Sequence, residues 1–509
     1  MDYQSADLAA RIDEANIYAV ANRTSLTVAP LLTERLGNRV FLKREDQQPT
    51  FSFKVRGATN KILNLDDADL ERGVICSSAG NHAQGVAMAA ARRGVPAYVV
   101  MPLTTPEIKV KAVEALGGEV VLHGEHYDDA QNLARQRAES DGLHFVHPFD
   151  DLDVIAGQGT IGREILDQSP DPIHAVFVPV GGGGLAAGIA TYIKVRRPET
   201  LVFGVEPVDA ASMEAAIKAG HPVALDHVGT FADGVAVKRV GDLTFELCRR
   251  HLDGIITVTT DELCTGIRDI FDDTRTLVEP AGALAVAGMH RYVDDTGITG
   301  QRLVAINCGA NMNFNRLGHV TERTAIGDKK EALLAVEIPE RQGSFLHFCR
   351  AVGDRHITEF NYRRNDTEVA RIFVGLELKP GAADRHDLID HLQSNGYAVA
   401  DLTDNEMAKL HIRHLAGGPA SDVAHERVYR FEFPERRGAL LRFLESVGVD
   451  WNITLFHYRN HGSDYGRVLV AIDVPPATRD DLNQHLDDLG YRYWDETDND
   501  AYSLFLKRT

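Results

Sequence analysis

Between about residue 38 and residue 310, short runs of consecutive apolar residues alternate with Ala-rich stretches whose apolar positions recur at helical spacing. The runs include Val40–Leu42, Gly73–Cys76, Ala97–Met101, Glu119–Leu122, Ala175–Val180, Leu201–Val205, Ile255–Val258 and Leu303–Ile306. A strand that is apolar throughout must be covered on both faces. The intervening stretches, such as His82–Arg93 and Leu185–Arg196, would supply the covering helices. Alternating strand and helix predicts an α/β unit on an open, mostly parallel sheet. In such a sheet ligands sit beyond the carboxyl ends of the strands, so the turns that follow the apolar runs are where chemistry is sought.

Around Glu322–Lys330 the pattern changes, and the chain then repeats itself. Ile338-Pro-Glu-Arg-Gln-Gly343 returns as Phe433-Pro-Glu-Arg-Arg-Gly438, and Ile357-Thr-Glu-Phe-Asn-Tyr-Arg363 as Ile453-Thr-Leu-Phe-His-Tyr-Arg459. Gly396-Tyr397 returns as Gly490-Tyr491. A period of about 95 residues is a duplicated small domain rather than a solenoid unit. In the first copy the pattern reads strand Leu333–Ile338, helix Ser344–Val352, strands Ile357–Arg363 and Val369–Leu378, helix His386–Gln393 and strand Ala398–Leu402. That order is the α+β, ferredoxin-like split βαβ arrangement. The expected organisation is one large α/β domain over 1–325, modules over 331–403 and 426–498, and a linker over 404–425 with a short helical piece.

Composition narrows the class. Hydrophobic residues make up 44% of the chain, enough for buried cores. There is no apolar run of about 18 residues, so no membrane span is expected. Met1–Asn22 has no basic start followed by an apolar stretch, so no secretory signal is expected either. A formal net charge of −20 repels phosphate backbones and excludes nucleic acid as a partner class. The five cysteines are scattered without a CxxC pair, which suits reduced thiols in a cytoplasmic protein.

Four turns carry candidate chemistry. Lys54 follows Phe51, Ser52 and Phe53 and opens a helix; aromatic neighbours would desolvate it into an amine nucleophile, the alternative being an ordinary surface lysine. Ser77-Ser-Ala-Gly-Asn-His82 joins a strand to a helix. Small residues there let backbone N–H groups approach an anion, and Asn81 either contacts a ligand oxygen or caps the helix. Gly181-Gly-Gly-Gly-Leu185 either exposes several amides to one phosphate or is a tight turn with no ligand. It lacks the Gly-Lys-Ser/Thr of a nucleotide triphosphate loop and meets a dinucleotide fingerprint only weakly. Cys308, after the strand Leu303–Ile306, either faces a ligand or is a small buried residue. His123-Gly-Glu-His126 reads as a solvated loop, and no metal site is expected.

Taken in order, Ser-Phe-Lys54, Ser78-Ala-Gly-Asn-His82, Gly181-Gly-Gly-Gly-Leu185 and Cys308-Gly-Ala-Asn311 resemble fold type II (tryptophan synthase beta-like) pyridoxal-phosphate (PLP) enzymes. With Phe231–Lys238, Glu279-Pro-Ala-Gly-Ala283 and the doubled, ACT-like tail, the whole chain is similar to the biosynthetic threonine dehydratase (threonine ammonia-lyase) family. The resemblance implies that Lys54 carries PLP, that Phe53 packs by its ring and that Asn81 bonds the ring hydroxyl. Gly181, Gly182, Gly183, Gly184 and Leu185 would hold the phosphate. Ser78, Ala79, Gly80, Asn81 and His82 would hold the substrate carboxylate. Cys308 takes the pyridine-nitrogen position, where many relatives have Ser. Ala79 stands where similar racemases carry a proton-transferring Ser, which favours elimination. The family implies L-threonine as substrate, isoleucine and valine as effectors, and a cytoplasmic homotetramer. Phe360, Tyr362, Phe456 and Tyr458, at matched repeat positions, are candidate regulatory residues or core aromatics. Rival expectations are an L-serine dehydratase or related lyase, and a non-catalytic amino-acid sensor.

Overall fold

The computed structural model describes residues 5–339, 344–353, 355, 357–362, 369–379, 383–414, 423, 425–434, 443, 451–459 and 465–506. The contacts group the chain into two compact units, Met1–Asn313 and Phe314–Thr509.

The strands of the N-terminal unit are β1 (Leu26–Val28), β2 (Arg39–Arg44), β3 (Val74–Ser77), β4 (Ala97–Met101), β5 (Glu119–Leu122), β6 (His144–Phe145), β7 (Ala175–Pro179), β8 (Leu201–Pro207), β9 (Gly254–Val258) and β10 (Arg302–Asn307). They form two sheets, in the orders β1-β2-β10-β7-β8-β9 and β5-β4-β3-β6. Every pairing is parallel except β1 with β2. The apolar pattern predicts one open sheet. Strands of both sheets carry the same pattern, and the division between them comes from how the helices pack. The Lys54–Asn64 helix packs on the Asn81–Arg93 helix, which follows β3, and on the Leu152–Gln168 helix, which packs in turn on the Gly184–Arg196 helix after β7. Lys54 therefore opens a helix at the seam between the sheets.

That helix is anchored by charge. Arg56 is fully buried, with Nε donating to Glu45 Oε2 at 2.7 Å and Nη1 donating to Glu164 Oε1 at 2.6 Å. Lys43, also fully buried, donates from Nζ to the other Glu164 oxygen at 2.6 Å. Buried ions persist only when each finds a partner and its remaining hydrogen-bonding capacity is used. Thr24 O and Gln168 Oε1 accept the remaining Lys43 hydrogens, and Thr160 Oγ1 accepts a further Arg56 hydrogen.

The C-terminal unit repeats one topology. β11 (Glu331–Pro339), β12 (Ile357–Tyr362), β13 (Val369–Glu377) and β14 (Ala398–Asp401) form an antiparallel sheet in the order β12-β13-β11-β14. β15 (Glu426–Pro434), β16 (Asn452–Arg459), β17 (Tyr465–Asp473) and β18 (Arg492–Asp495) repeat it as β16-β17-β15-β18. Alternation along the strands divides the cores. Leu334, Val336, Ile372 and Val374 pack with Phe348 and Leu388 of the first module's own helices. Leu333, Ala335 and Phe373 instead join Val428, Leu469 and Ala471 of the second module in a shared core. Met407 of the linker helix Glu406–Leu410 completes that core with Tyr502 of the helix Asp500–Phe505. By contacts the second unit starts at Phe314; Ile326 is buried in the shared core and Arg323 pairs with Glu406 at 2.5 Å. The register sets Phe360 opposite Val374, Tyr362 opposite Ile372, Phe456 opposite Val470 and Tyr458 opposite Val468. The side chains of these four aromatic residues lie outside the described residues.

Arg56→Met would strip Glu45 of its guanidinium, leaving it the neutral donors Thr24 and Gln48, and would leave Glu164 with Lys43 and the Tyr18 hydroxyl. Breaking a buried pair in this way costs about 3–5 kcal/mol. Denaturant unfolding of the full chain should show a loss of that size, and a change below ~1 kcal/mol would contradict the anchoring role.

Candidate active site

The site is assembled from turns at the carboxyl ends of β3, β7 and β10, together with the loop that opens the Lys54 helix. An isolated bridge pairs Ser52 with Gly309, and the amide of Phe53 donates to Cys308 O at 3.2 Å. Phe51 is forced to φ 54° in this loop. These contacts tie the lysine loop to the end of β10.

Lys54 is partly buried, and its Nζ donates to Pro148 O at 3.0 Å and lies 5.3 Å from the centre of the Phe53 ring. Burial pulls its pKa down from the usual lysine value to about 8, against the opposing pull of Cys308 and Glu279. The Cys308 thiol is itself held well above its ordinary pKa by burial, so it stays neutral and Glu279 is the opposing charge at neutral pH. At a pKa of about 8, roughly a tenth of these amines are uncharged at pH 7, against about one in three thousand for a free lysine.

Phe149, next to Pro148, forms the floor of the glycine turn. A Cβ on Gly182 would collide with the Phe149 ring, and Gly183 sits at φ +96°, which side-chain-bearing residues rarely adopt. The carbonyls of the turn are occupied: Gly182 O accepts from Thr244 Oγ1 at 2.6 Å, and Gly183 O accepts from the Ala187 amide at 2.8 Å. Among the described residues, the amides of Gly182 to Ala186 have no protein acceptor. Unpaired amides at the start of a 13-residue helix form an anion cradle, reinforced by the helix dipole.

His147 and Asp150 hold this floor. His147 Nδ1 accepts from the amides of Phe149 and Asp150, at 3.3 and 2.7 Å. Accepting requires an unprotonated nitrogen, and burial lowers the His147 pKa to about 4. Asp150 Oδ1 accepts from the amides of Leu243 and Thr244, the latter being the residue that fixes Gly182 O. One segment, His147–Asp150, thus sets the lysine amine and the anion cradle in fixed relation. Its apolar and polar positions carry no sequence signal for that role.

The Ser78–His82 turn divides its duties. Ser78 Oγ accepts from the Gly80 amide at 3.2 Å, shaping the turn. His82 bonds Val146 O at 3.0 Å through Nε2, and burial holds its pKa near 3, so its ring is a neutral structural group. Asn81 makes no side-chain cap on its helix. Its Nδ2 donates to Glu279 Oε1 at 2.6 Å, and its Oδ1 accepts from Asn311 Nδ2 at 2.7 Å. The Cys308 thiol is 2% exposed and donates to Ala281 O at 3.3 Å. The roles of Glu279 and Asn311 are not legible in the Glu279–Ala283 and Cys308–Asn311 segments, because a Glu-Pro helix start gives no sign of where its carboxylate points. Over the site, Asp233 pairs with Lys109 at 2.9 Å, and Val235 packs where a side chain on Gly181 would sit. Among the described residues no group of three His, Cys, Asp or Glu is placed to hold a metal ion.

A family model for pyridoxal-phosphate dependent enzymes matches residues 18–309, and one for the C-terminal regulatory domain of threonine dehydratase matches 322–412 and 417–506. The chain is 53% identical to an L-threonine dehydratase biosynthetic IlvA of Burkholderia multivorans, over 99% of both chains. The chain belongs to the biosynthetic threonine dehydratase family. The Escherichia coli relative of that name is 50% identical over 99% of this chain and 98% of its own. The solved structure of the processed form of threonine deaminase isoform 2 from Solanum lycopersicum matches 63% of this chain and 93% of its own, at 49% identity and a TM-score of 0.62. PLP is the cofactor of this family, and the residues present fit it: an amide cradle suited to one phosphate, and a desolvated lysine amine held near it through Pro148-Phe149.

Only the neutral amine attacks an aldehyde, so if Lys54 is the amine that captures PLP, capture by the apoenzyme should rise with pH and level off above the folded-state pKa of Lys54. Absorbance-monitored capture rates should show a midpoint near pH 8. A rate still climbing tenfold per unit beyond pH 9 would contradict the depressed pKa.

Proposed function

We propose that this chain deaminates L-threonine to 2-oxobutanoate and ammonia, the first step of isoleucine biosynthesis, with Lys54 as catalytic base. The reading rests chiefly on one arrangement: Pro148 O takes the Lys54 amine while Phe149 lies under the glycine turn, whose amides have no protein acceptor among the described residues. Full-length similarity to enzymes named as biosynthetic threonine dehydratases supports it.

PLP, when bound, supplies an electron sink for charge that develops at the substrate Cα. The chain's own residues do the rest. The amides of Gly181 to Leu185 would hold the phosphate, and Asn81 would donate an N–H to the ring hydroxyl. The Ser78–His82 turn would receive the substrate carboxylate on the amides of Ala79, Asn81 and His82, since the Ser78 amide donates to Val100 O and the Gly80 amide to Ser78 Oγ. Lys54, once its amine is free, takes the Cα proton as general base. Its conjugate acid can return that proton to the departing β-hydroxyl, so water leaves without a second acid. Ala79 has no proton to give on the opposite face, which favours elimination over racemisation. The neutral Cys308 thiol, already donating to Ala281 O, brings no charge to the pyridine nitrogen.

The duplicated modules supply regulation in this reading, with isoleucine as inhibitor and valine as activator, and with Phe360, Tyr362, Phe456 and Tyr458 as the candidate contacts. An effector must bind two states of the protein unequally to act. The same reading assigns residues 1–325 to catalysis, 331–403 and 426–498 to regulation, and 404–425 to the linker, in a cytoplasmic homotetramer.

The full chain with PLP should convert L-threonine to 2-oxobutanoate, and isoleucine should raise the threonine concentration needed for half-saturation. Lys54→Ala should reduce turnover by about 10²–10⁴-fold or more, the range for loss of a positioned base. Turnover of L-serine in preference to threonine, or indifference to isoleucine, would contradict the reading.

A further inference from the structure

Asn81 is held from both sides by groups whose polarity admits only one orientation of its amide. On one side, Glu279 Oε1 accepts from Asn81 Nδ2 at 2.6 Å, and a carboxylate can only accept. On the other, Asn311 Nδ2 donates to Asn81 Oδ1 at 2.7 Å. The orientation of Asn311 is fixed in turn, because the same nitrogen donates to Thr50 O at 2.9 Å, and a carbonyl is also acceptor-only. Turning the Asn81 amide over would set its oxygen against a carboxylate and its nitrogen against another N–H donor. Both contacts would become repulsive.

The arrangement is built rather than incidental. Glu279 is 5% exposed and begins the Pro280–Thr296 helix, with its own amide donating to Gly309 O at 3.2 Å. A Cβ on Gly309 would collide with its carboxylate. Thr50, Gly309 and Asn311 flank Lys54 and Cys308 in sequence or across the Ser52–Gly309 bridge, so the clamp belongs to the same loops that present the lysine. Asn81 has two N–H bonds, and the clamp uses one of them. The second is left in a set orientation.

We propose that Glu279 and Asn311 are positioning residues that lock the Asn81 amide, so that its remaining N–H is committed to the cofactor before PLP arrives. This deepens the reading of Asn81 as the ring-hydroxyl contact and rests on it. The clamp removes the wrong amide orientation from the apoenzyme, which is preorganisation of a polar contact.

The test is the dissociation constant of PLP, titrated by absorbance into full-length apoenzyme, for wild type, Asn81→Ala, Glu279→Leu, Glu279→Gln, Asn311→Leu and the double variant Asn81→Ala/Glu279→Leu. The expected result is a loss of about tenfold for Asn81→Ala and a similar loss for Glu279→Leu. Glu279→Gln keeps an acceptor in place and should stay within about threefold of wild type. The double variant should bind no worse than Asn81→Ala alone, because the clamp acts only through Asn81. If Glu279→Leu fails to fold, Asn311→Leu, which leaves the carboxylate in place, carries the same comparison. Losses that multiply in the double variant, or a clamp variant that binds PLP as wild type does while Asn81→Ala is impaired, overturn the clamp alone. Wild-type affinity in Asn81→Ala overturns the reading of Asn81 and the clamp with it.

Discussion

Arg56 is fully buried, two residues after Lys54, and bound to both Glu45 and Glu164. Removing a guanidinium from water costs several kcal/mol unless carboxylates meet it with good geometry. Once met, it cannot be displaced without exposing two more buried charges. The first turn of the Lys54 helix is therefore fixed by an interaction that does not touch the site. A reactive lysine needs this kind of support: a flexible four-carbon side chain is only as well placed as its backbone.

From that fixed turn the site spreads through hydrogen bonds whose direction is dictated by chemistry. Pro148 O takes the amine, the Phe149 ring fills the space under the glycines, and Thr244 holds Gly182 O so that the amides of the turn face outward. His147 stays neutral so that it can accept from two amides. The site carries few charged groups, as a cofactor that brings its own phosphate and electron sink requires. The protein contributes placement and dehydration.

Much of this was legible in the sequence. Runs of consecutive apolar residues marked the strands, although β5 at its sheet edge leaves Glu119 and Leu122 exposed, and the repeated Pro-Glu-Arg segments marked two copies of one module. What was not legible depends on partners far along the chain. The division into two sheets is decided by helix packing, which identical strand patterns cannot encode. From sequence Asn81 reads equally as a helix cap or a ligand contact, because the bonds that occupy its side chain in place of a cap run to Glu279 and Asn311, residues about 200 positions away. His147–Asp150 reads as an ordinary loop, yet it sets the distance between amine and cradle.

The central claim is that one lysine among those in the chain holds the cofactor covalently. Borohydride reduction of the full-length holoenzyme, followed by proteolysis and mass mapping, tests it most directly. The account predicts a pyridoxyl-phosphate adduct on the peptide that contains Lys54. An adduct confined to another lysine, such as the neighbouring Lys61, or no adduct in a protein that has bound PLP, would contradict it.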